Sequence, residues 1–280
     1  MYSLSAPERS GAEDYASIVA QRQVAARDVL HGVQAAVLAA YDAYITHQGN
    51  GEIIQPIPLS EDKSDRLAEN YRLLDKHASH QHIRDEILAC ARFDMCPYCS
   101  VTTVDEIDHV LPKSVYPEFS VLAQNLVPSC GRCNSSKGAT CFVSNGTSFP
   151  HPYFDQIPAG KILHADVAVS HHAVTWSFFL IRLPGMDERS FAAMQSMFEV
   201  LELEELYRQV SVVEVMDRAQ AMGDQHGAGG AALVREYLQR EAESARNRGG
   251  DNYWKTAILS GLAANQEFCA GGFRYLLHGQ

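Results

Sequence analysis

The 280-residue sequence predicts an α+β protein, mostly helical, in which a small metal-braced core is flanked by N- and C-terminal helical regions. Three observations carry that prediction. Apolar residues recur three and four apart over both flanks, as buried helix faces require. Two Cys-x-x-Cys pairs, Cys96/Cys99 and Cys130/Cys133, punctuate the centre. Between them VTTVDEIDHVLP has the β-branched content of a strand, ended by Pro112. The expected organisation is a helical region over 1–90, a zinc-braced core over 91–155, and a strand with further helices over 156–280.

In chain order, Leu30, Val33, Val37, Leu38, Tyr41, Tyr44 and Ile45 predict one amphipathic helix from about Ala12 to His47, stopped by Gly49-Asn50-Gly51. The proline-bearing IIQPIPL is a connector. Ser60 before Glu61 and Asp62 opens a second helix burying Leu67, Tyr71 and Leu74, and a third carries Ile83, Ile87 and Leu88 up to the first cysteine pair. After HPYFD, His151 to Asp155, the sequence reads as loop until Val174, Trp176, Phe178 and Leu180 mark a strand. Three helical segments follow, the last two separated at Gly227 to Gly230 by a flexible joint, and a final helix opened by Asp251 or Asn252 buries Trp254, Ile258 and Leu262.

The N-terminus has neither the basic start nor the apolar core of a signal peptide, and no apolar run reaches membrane-spanning length, so cytoplasmic residence without a membrane is expected. Seven cysteines in such a setting argue for metal rather than a disulfide framework. The net charge is −11, and from Cys96 to Gly138 three basic residues stand against four acidic ones. Nucleic-acid binding would therefore need a local patch, a divalent cation or a partner to supply the attraction.

Two Cys-x-x-Cys knuckles facing each other supply four thiolates for tetrahedral zinc. Such a closed site is structural, since it leaves no position for water. A redox pair would account for one knuckle only. Cys90, Cys141 and Cys269 read as buried thiols, and His77, His80 and His82 as solvated. Arg235, Arg240, Arg246 and Arg248 are interleaved with Glu236, Glu241 and Glu243, which describes an ion-paired face. The Asp108-His109 doublet offers a hard-cation ligand beside a base that titrates near neutrality. In a regular strand the two would face opposite ways.

CPYC, EIDHVLPKS, the Asn125 of QNLVPSC and CGRCNSSKG together resemble the HNH endonucleases, in the ββα-metal subgroup braced by a four-cysteine zinc. The resemblance spans some forty to sixty residues, and Asn134 stands where the family name has its last His. It implies that His109 is the general base and that Asp108 and Asn134 hold magnesium or manganese. It also implies that Asn125 orients His109, that Lys137 contacts a phosphate, and that the substrate is nucleic acid, double-stranded DNA first, cut to leave 5′-phosphate ends. Stand-alone HNH proteins with long helical extensions are similar to effector subunits of bacterial anti-phage defence systems, often paired with an ATPase. The alternative is a non-catalytic zinc-ribbon module that binds nucleic acid or protein; His151 and Asp155 are expected to pack a loop, with Tyr153 and Phe154.

Overall fold

The computed structural model describes residues 1–140, 149–157, 159–170 and 173–276, so Cys141 lies outside the described residues. The chain divides into two units, one of Ser3–Gln156 with Ala192–Met197, the other of Met1–Tyr2, Ile157–Phe191 and Phe198–Gln280.

In the first unit, helices α1 (Gly11–Ala20), α2 (Val24–Thr46), α3 (Glu61–Glu69) and α4 (Gln81–Ala89) precede β1 (Glu106–His109), β2 (Leu126–Ser129) and α5 (Gly131–Lys137). The single helix expected from 12 to 47 is two. The N–H groups of Gln21 and Arg22 turn back to the carbonyls of Ile18 and Val19, tightening and ending α1. Arg22 then reaches Glu69 at 2.9 Å. Periodicity could not mark this break, because Tyr15 and Val19 of α1 and Leu30 and Val33 of α2 enter the same apolar cluster. Gly49 ends the following turn at φ +68°, where a Cβ would lie 2.6 Å from the His151 ring.

That cluster also contains Leu67, Leu111, Tyr116, Phe119 and Leu122. A second one joins Ile18, Ile83 and Ile87 to Ile107, Val121 and Leu126. Each of the two clusters combines residues of the N-terminal helices with residues of the cysteine-bearing segment, which belong to one unit. The strand expected across VTTVDEIDHVLP shortens to four residues, paired antiparallel with β2 so that Glu106 faces Ser129 and His109 faces Leu126. Beyond it, Val110 donates its N–H to the Asn125 carbonyl, and the chain turns at Pro112.

The second unit contains the hairpin β3 (Leu163–Ser170) and β4 (Ala173–Leu180), paired from Leu163↔Leu180 to Ser170↔Ala173. The strand expected at 174–180 is β4; β3 occupies sequence expected as loop. Helix α6 (Glu188–Val200), of which Ala192–Met197 belong to the first unit, follows, then α7 (Leu203–Met216), α8 (Ala219–Gly249), α9 (Trp254–Ala264) and α10 (Gln266–Cys269). Asn252 does not open α9. Its Oδ1 accepts the N–H groups of Ile162 and Leu163 at 2.7 and 3.1 Å, tying the start of β3 down. Gly261 lets α9 approach that strand, since a Cβ there would sit 2.6 Å from the Ala165 carbonyl oxygen. Trp254, Ile258 and Leu262 are buried as the spacing requires.

The joint expected at Gly227 to Gly230 does separate two helices: within α8 the helical geometry breaks at Gly229 and at Gly230, which stands at φ +69°, so a kink divides the span, and a further turn at Asp217 and Arg218 lies between α7 and α8. Two glycines permit the bend, but the flanking helical hydrogen bonding resumes at once. Arg240 and Arg246 pair with Glu236 and Glu243, at 3.9 and 2.7 Å, as an ion-paired face would. Among the described residues no helix is long and apolar enough to cross a membrane.

Candidate active site and metal centre

Cys96, Cys99, Cys130 and Cys133 are buried, with their sulfurs all within 4.8 Å of one another. Zinc–sulfur bonds of about 2.3 Å in tetrahedral geometry separate sulfurs by about 3.8 Å, so this cluster has the dimensions of a four-thiolate zinc site. The Cys99 and Cys130 sulfurs stand at 3.9 Å. Four thiols so close cannot all ionise unless a cation lies between them, which the zinc would supply. Among the described residues no other His, Cys and carboxylate cluster has metal-holding dimensions. His80 is buried rather than solvated, its ring nitrogens against Ser17 and Ser79.

Helix α5 starts inside the second knuckle and packs on β1. Glu106 and Asp108, two apart, share one face of β1, and Asn134 and Lys137, three apart, share one face of α5. They meet in two rungs. Asn134 Nδ2 donates to Glu106 Oε2 at 2.6 Å, and Lys137 Nζ donates to Asp108 Oδ1 at 3.0 Å and to the His109 carbonyl at 2.8 Å. Tyr98, inside the first knuckle, donates its hydroxyl to Asp108 Oδ2 at 2.7 Å. Asp108 and Lys137 are each 2% exposed. Burial pushes the Asp108 carboxyl up, against the opposing pull of Lys137 and Tyr98.

Lys137 is therefore not at a surface where it would meet a phosphate, as the resemblance led us to expect. Its ammonium is consumed by a buried carboxylate, because the spacing that puts it one turn beyond Asn134 also aims it at the strand. Asp108 and Asn134, expected as cation ligands, offer oxygens of the chemistry a hard cation takes. Asn134 has its Nδ2 engaged by Glu106, which leaves Oδ1 as its ligating atom, and each Asp108 oxygen accepts one hydrogen bond and keeps a lone pair.

His109, at the end of β1, turns to the other side. Its Nε2 lies 3.0 Å from the Ser120 carbonyl, which can only accept, so Nε2 carries the proton and Nδ1 keeps the lone pair. The ring sits edge-on to Tyr71 at 4.7 Å and is 8% exposed. Burial pushes its pKa down to about 3, so the imidazole is neutral at physiological pH.

Asn125 does not hold the His109 ring directly, as expected, because its amide is fully used elsewhere. Oδ1 accepts from the Leu111 N–H at 2.8 Å and the Tyr44 hydroxyl at 2.9 Å, while Nδ2 donates to the carbonyls of Leu111 and Phe119 at 3.0 and 3.2 Å. It thereby fixes the loop whose next residue, Ser120, presents the carbonyl that orients His109. Ser120 is anchored in turn by its own hydroxyl, which donates to the Leu67 carbonyl at 2.6 Å. His151 Nε2 donates to the Tyr44 oxygen at 3.0 Å, and its Nδ1 accepts from the Tyr153 N–H at 3.1 Å. His151 thus does more than pack a loop: it ends a buried relay through Tyr44 to Asn125. Asp155 closes that loop by accepting from the His151 N–H.

Sequence reasoning missed Tyr44, Tyr71, Tyr98, Glu106 and Ser120. Of these only Glu106 carried a signal, its position two before Asp108 on a strand.

Residues 96–140 match the family model described as HNH endonuclease. Over 100 residues, 35% of this chain, the sequence is 39% identical to protein ea31 of Escherichia phage lambda, and the match covers 33% of that protein. Over 48 residues, 15% of the chain, it is 44% identical to Septu protein PtuB of Bacillus thuringiensis, covering 19% of it. The matched segments span a third or less of these relatives. No solved structure matches. The segment is similar to HNH domains, and its four-cysteine cluster and its β1, β2 and α5 fit the zinc-braced ββα form.

Proposed function

We propose that this protein is a metal-dependent endonuclease that hydrolyses phosphodiester bonds, with duplex DNA as its substrate. The observation that carries the reading is the state of His109 within a segment similar to HNH domains. The Ser120 carbonyl fixes its tautomer, so Nδ1 keeps its lone pair in one orientation. A general base takes the proton from the attacking water, and Nδ1 is the atom to do so. Asp108 and Asn134 would hold a divalent cation, magnesium or manganese, which when bound neutralises the charge that grows on the phosphate. Products would carry 5′-phosphate ends. Asn125, Tyr44 and Ser120 act by fixing the loop that holds the imidazole.

The test is plasmid cleavage with added magnesium or manganese. His109→Ala should lose cleavage by at least about 100-fold, within the range a general base contributes, while keeping its zinc content and thermal midpoint. Unchanged cleavage by this variant would overturn the assignment. One observation favours a second reading. The burial of Asp108 between Tyr98 and Lys137 suits a zinc-braced binding module that cuts nothing. The same assay separates the two.

The acidic balance of the chain and its similarity to Septu protein PtuB support a further part of the proposal, that the nuclease works with a protein partner. We further propose that this partner is an ATPase subunit and that the complex acts in anti-phage defence. Its place of action would be the cytoplasm.

A further inference from the structure

With Lys137 committed to Asp108, the site is left without the phosphate-binding cation expected of it. Lys113 is placed to be that cation. It follows Pro112 in the turn after β1, and its Nζ stands 4.2 Å above the centre of the Tyr71 ring, the same ring that meets His109 at 4.7 Å. Tyr71 is itself pinned to β1 by its hydroxyl, which donates to the Ile107 carbonyl at 3.3 Å. The ammonium is therefore held one aromatic ring away from the proposed base on a fixed platform. Among the described residues Lys113 forms no ion pair. Burial lowers its pKa, with Asp75 opposing the effect and Arg72 adding to it, so it is a partly desolvated cation. It also lines an open groove of 410 Å³ between the Pro56 to Leu59 connector and the turn at Lys113, Ser114 and Val115. Lys113 is itself partly exposed, so a chain lying in the groove, whose wall also carries the Asp65 carboxylate, reaches it from solvent.

We infer that Lys113 binds a backbone phosphate of the nucleic acid next to the scissile bond, its ammonium aimed by the Tyr71 ring. This rests on the nuclease reading and names the contact by which the substrate is held beside His109. A lysine–phosphate contact releases one condensed counterion, so it has a signature that a structural lysine lacks: its removal flattens the salt dependence of binding.

The experiment measures binding of a short DNA duplex by fluorescence anisotropy between about 50 and 200 mM salt, in the His109→Ala background so that the duplex stays intact. Lys113→Gln should weaken binding about fivefold to tenfold near 100 mM salt and reduce the slope of log K against log salt by about 0.9. Lys113→Arg should restore both, and Tyr71→Leu, which removes the platform, should weaken binding with the slope retained. In the otherwise native enzyme Lys113→Gln should raise KM more than it lowers kcat. An unchanged affinity and slope for Lys113→Gln overturns the inference while leaving the cleavage assignment intact, since that rests on His109→Ala. A native chain that neither cuts nor binds duplex with magnesium or manganese present overturns both.

Discussion

Lys137 separates two accounts of the same residue type at the same spacing. A lysine that contacts phosphate is solvated in the free protein, and its removal costs little stability. Here the ammonium is buried against Asp108 Oδ1 and the His109 carbonyl. Removing one partner of a buried pair leaves an uncompensated carboxylate, which costs about 3–5 kcal/mol. Lys137→Met should therefore destabilise the first unit by that amount in denaturant titrations without divalent metal. Asp108→Asn combined with Lys137→Met should recover much of the loss. A cost below about 1 kcal/mol would return Lys137 to the surface role. The tyrosines make a related point at this scale. Tyr44, Tyr71 and Tyr98 differ little in sequence from ordinary core aromatics, since three-and-four spacing reports only which face is inward. Their hydroxyls found Asn125, the Ile107 carbonyl and Asp108 through tertiary placement, to which local sequence is blind.

Among the elements, α5 has two tasks. Its first residues close the zinc knuckle and its next ones present Asn134 and Lys137 to β1. A seven-residue helix is too short to persist alone, so its position rests on the cysteines at its start and the strand it covers. Cys133→Ser should lose stoichiometric zinc and, with it, all cleavage, although His109, Asp108 and Asn134 are untouched. Metal analysis together with the plasmid assay checks this, and cleavage retained by zinc-free protein would break the link. Asp108, His109, Asn125 and Asn134 were singled out by the family resemblance, whereas the cysteine pairs were legible because side-chain chemistry at fixed spacing is local information. The helix faces of Leu30 to Tyr44 and of Trp254 to Leu262 were legible for the same reason. β3 was not. Its inward residues are Leu163, Ala165, Val167 and Val169, and it stands as a strand because β4 pairs with it and Asn252 and Asn265 tie it to the helical layer. The break between α1 and α2 escaped too, for both sides of it serve one core.

At the scale of the whole molecule the deciding quantity is charge. A net −11 repels a polyanion at distances where salt does not screen it, and the proposed site sets against this Lys113, with Arg72 near it, and a divalent cation. Lys137, which would have been a second lysine there, is neutralised by Asp108, and the arginines of α8 are interleaved with glutamates. A single phosphate contact gives a shallow salt slope, near −0.9, in contrast to the steep slopes of proteins that neutralise six or more phosphates. The isolated chain should accordingly bind duplex DNA weakly at physiological salt, with a Kd of about 10⁻⁴ M or worse, the weak end of non-specific binding. Cleavage by the chain alone should need high enzyme concentration and low salt. A partner carrying a basic surface should restore both affinity and salt sensitivity, because the counterions released would then come from its contacts. Anisotropy titrations of the isolated chain at two salt concentrations decide the matter. Tight binding with a slope of several units would mean that the fold itself assembles a basic surface and that the nuclease needs no partner to hold its substrate.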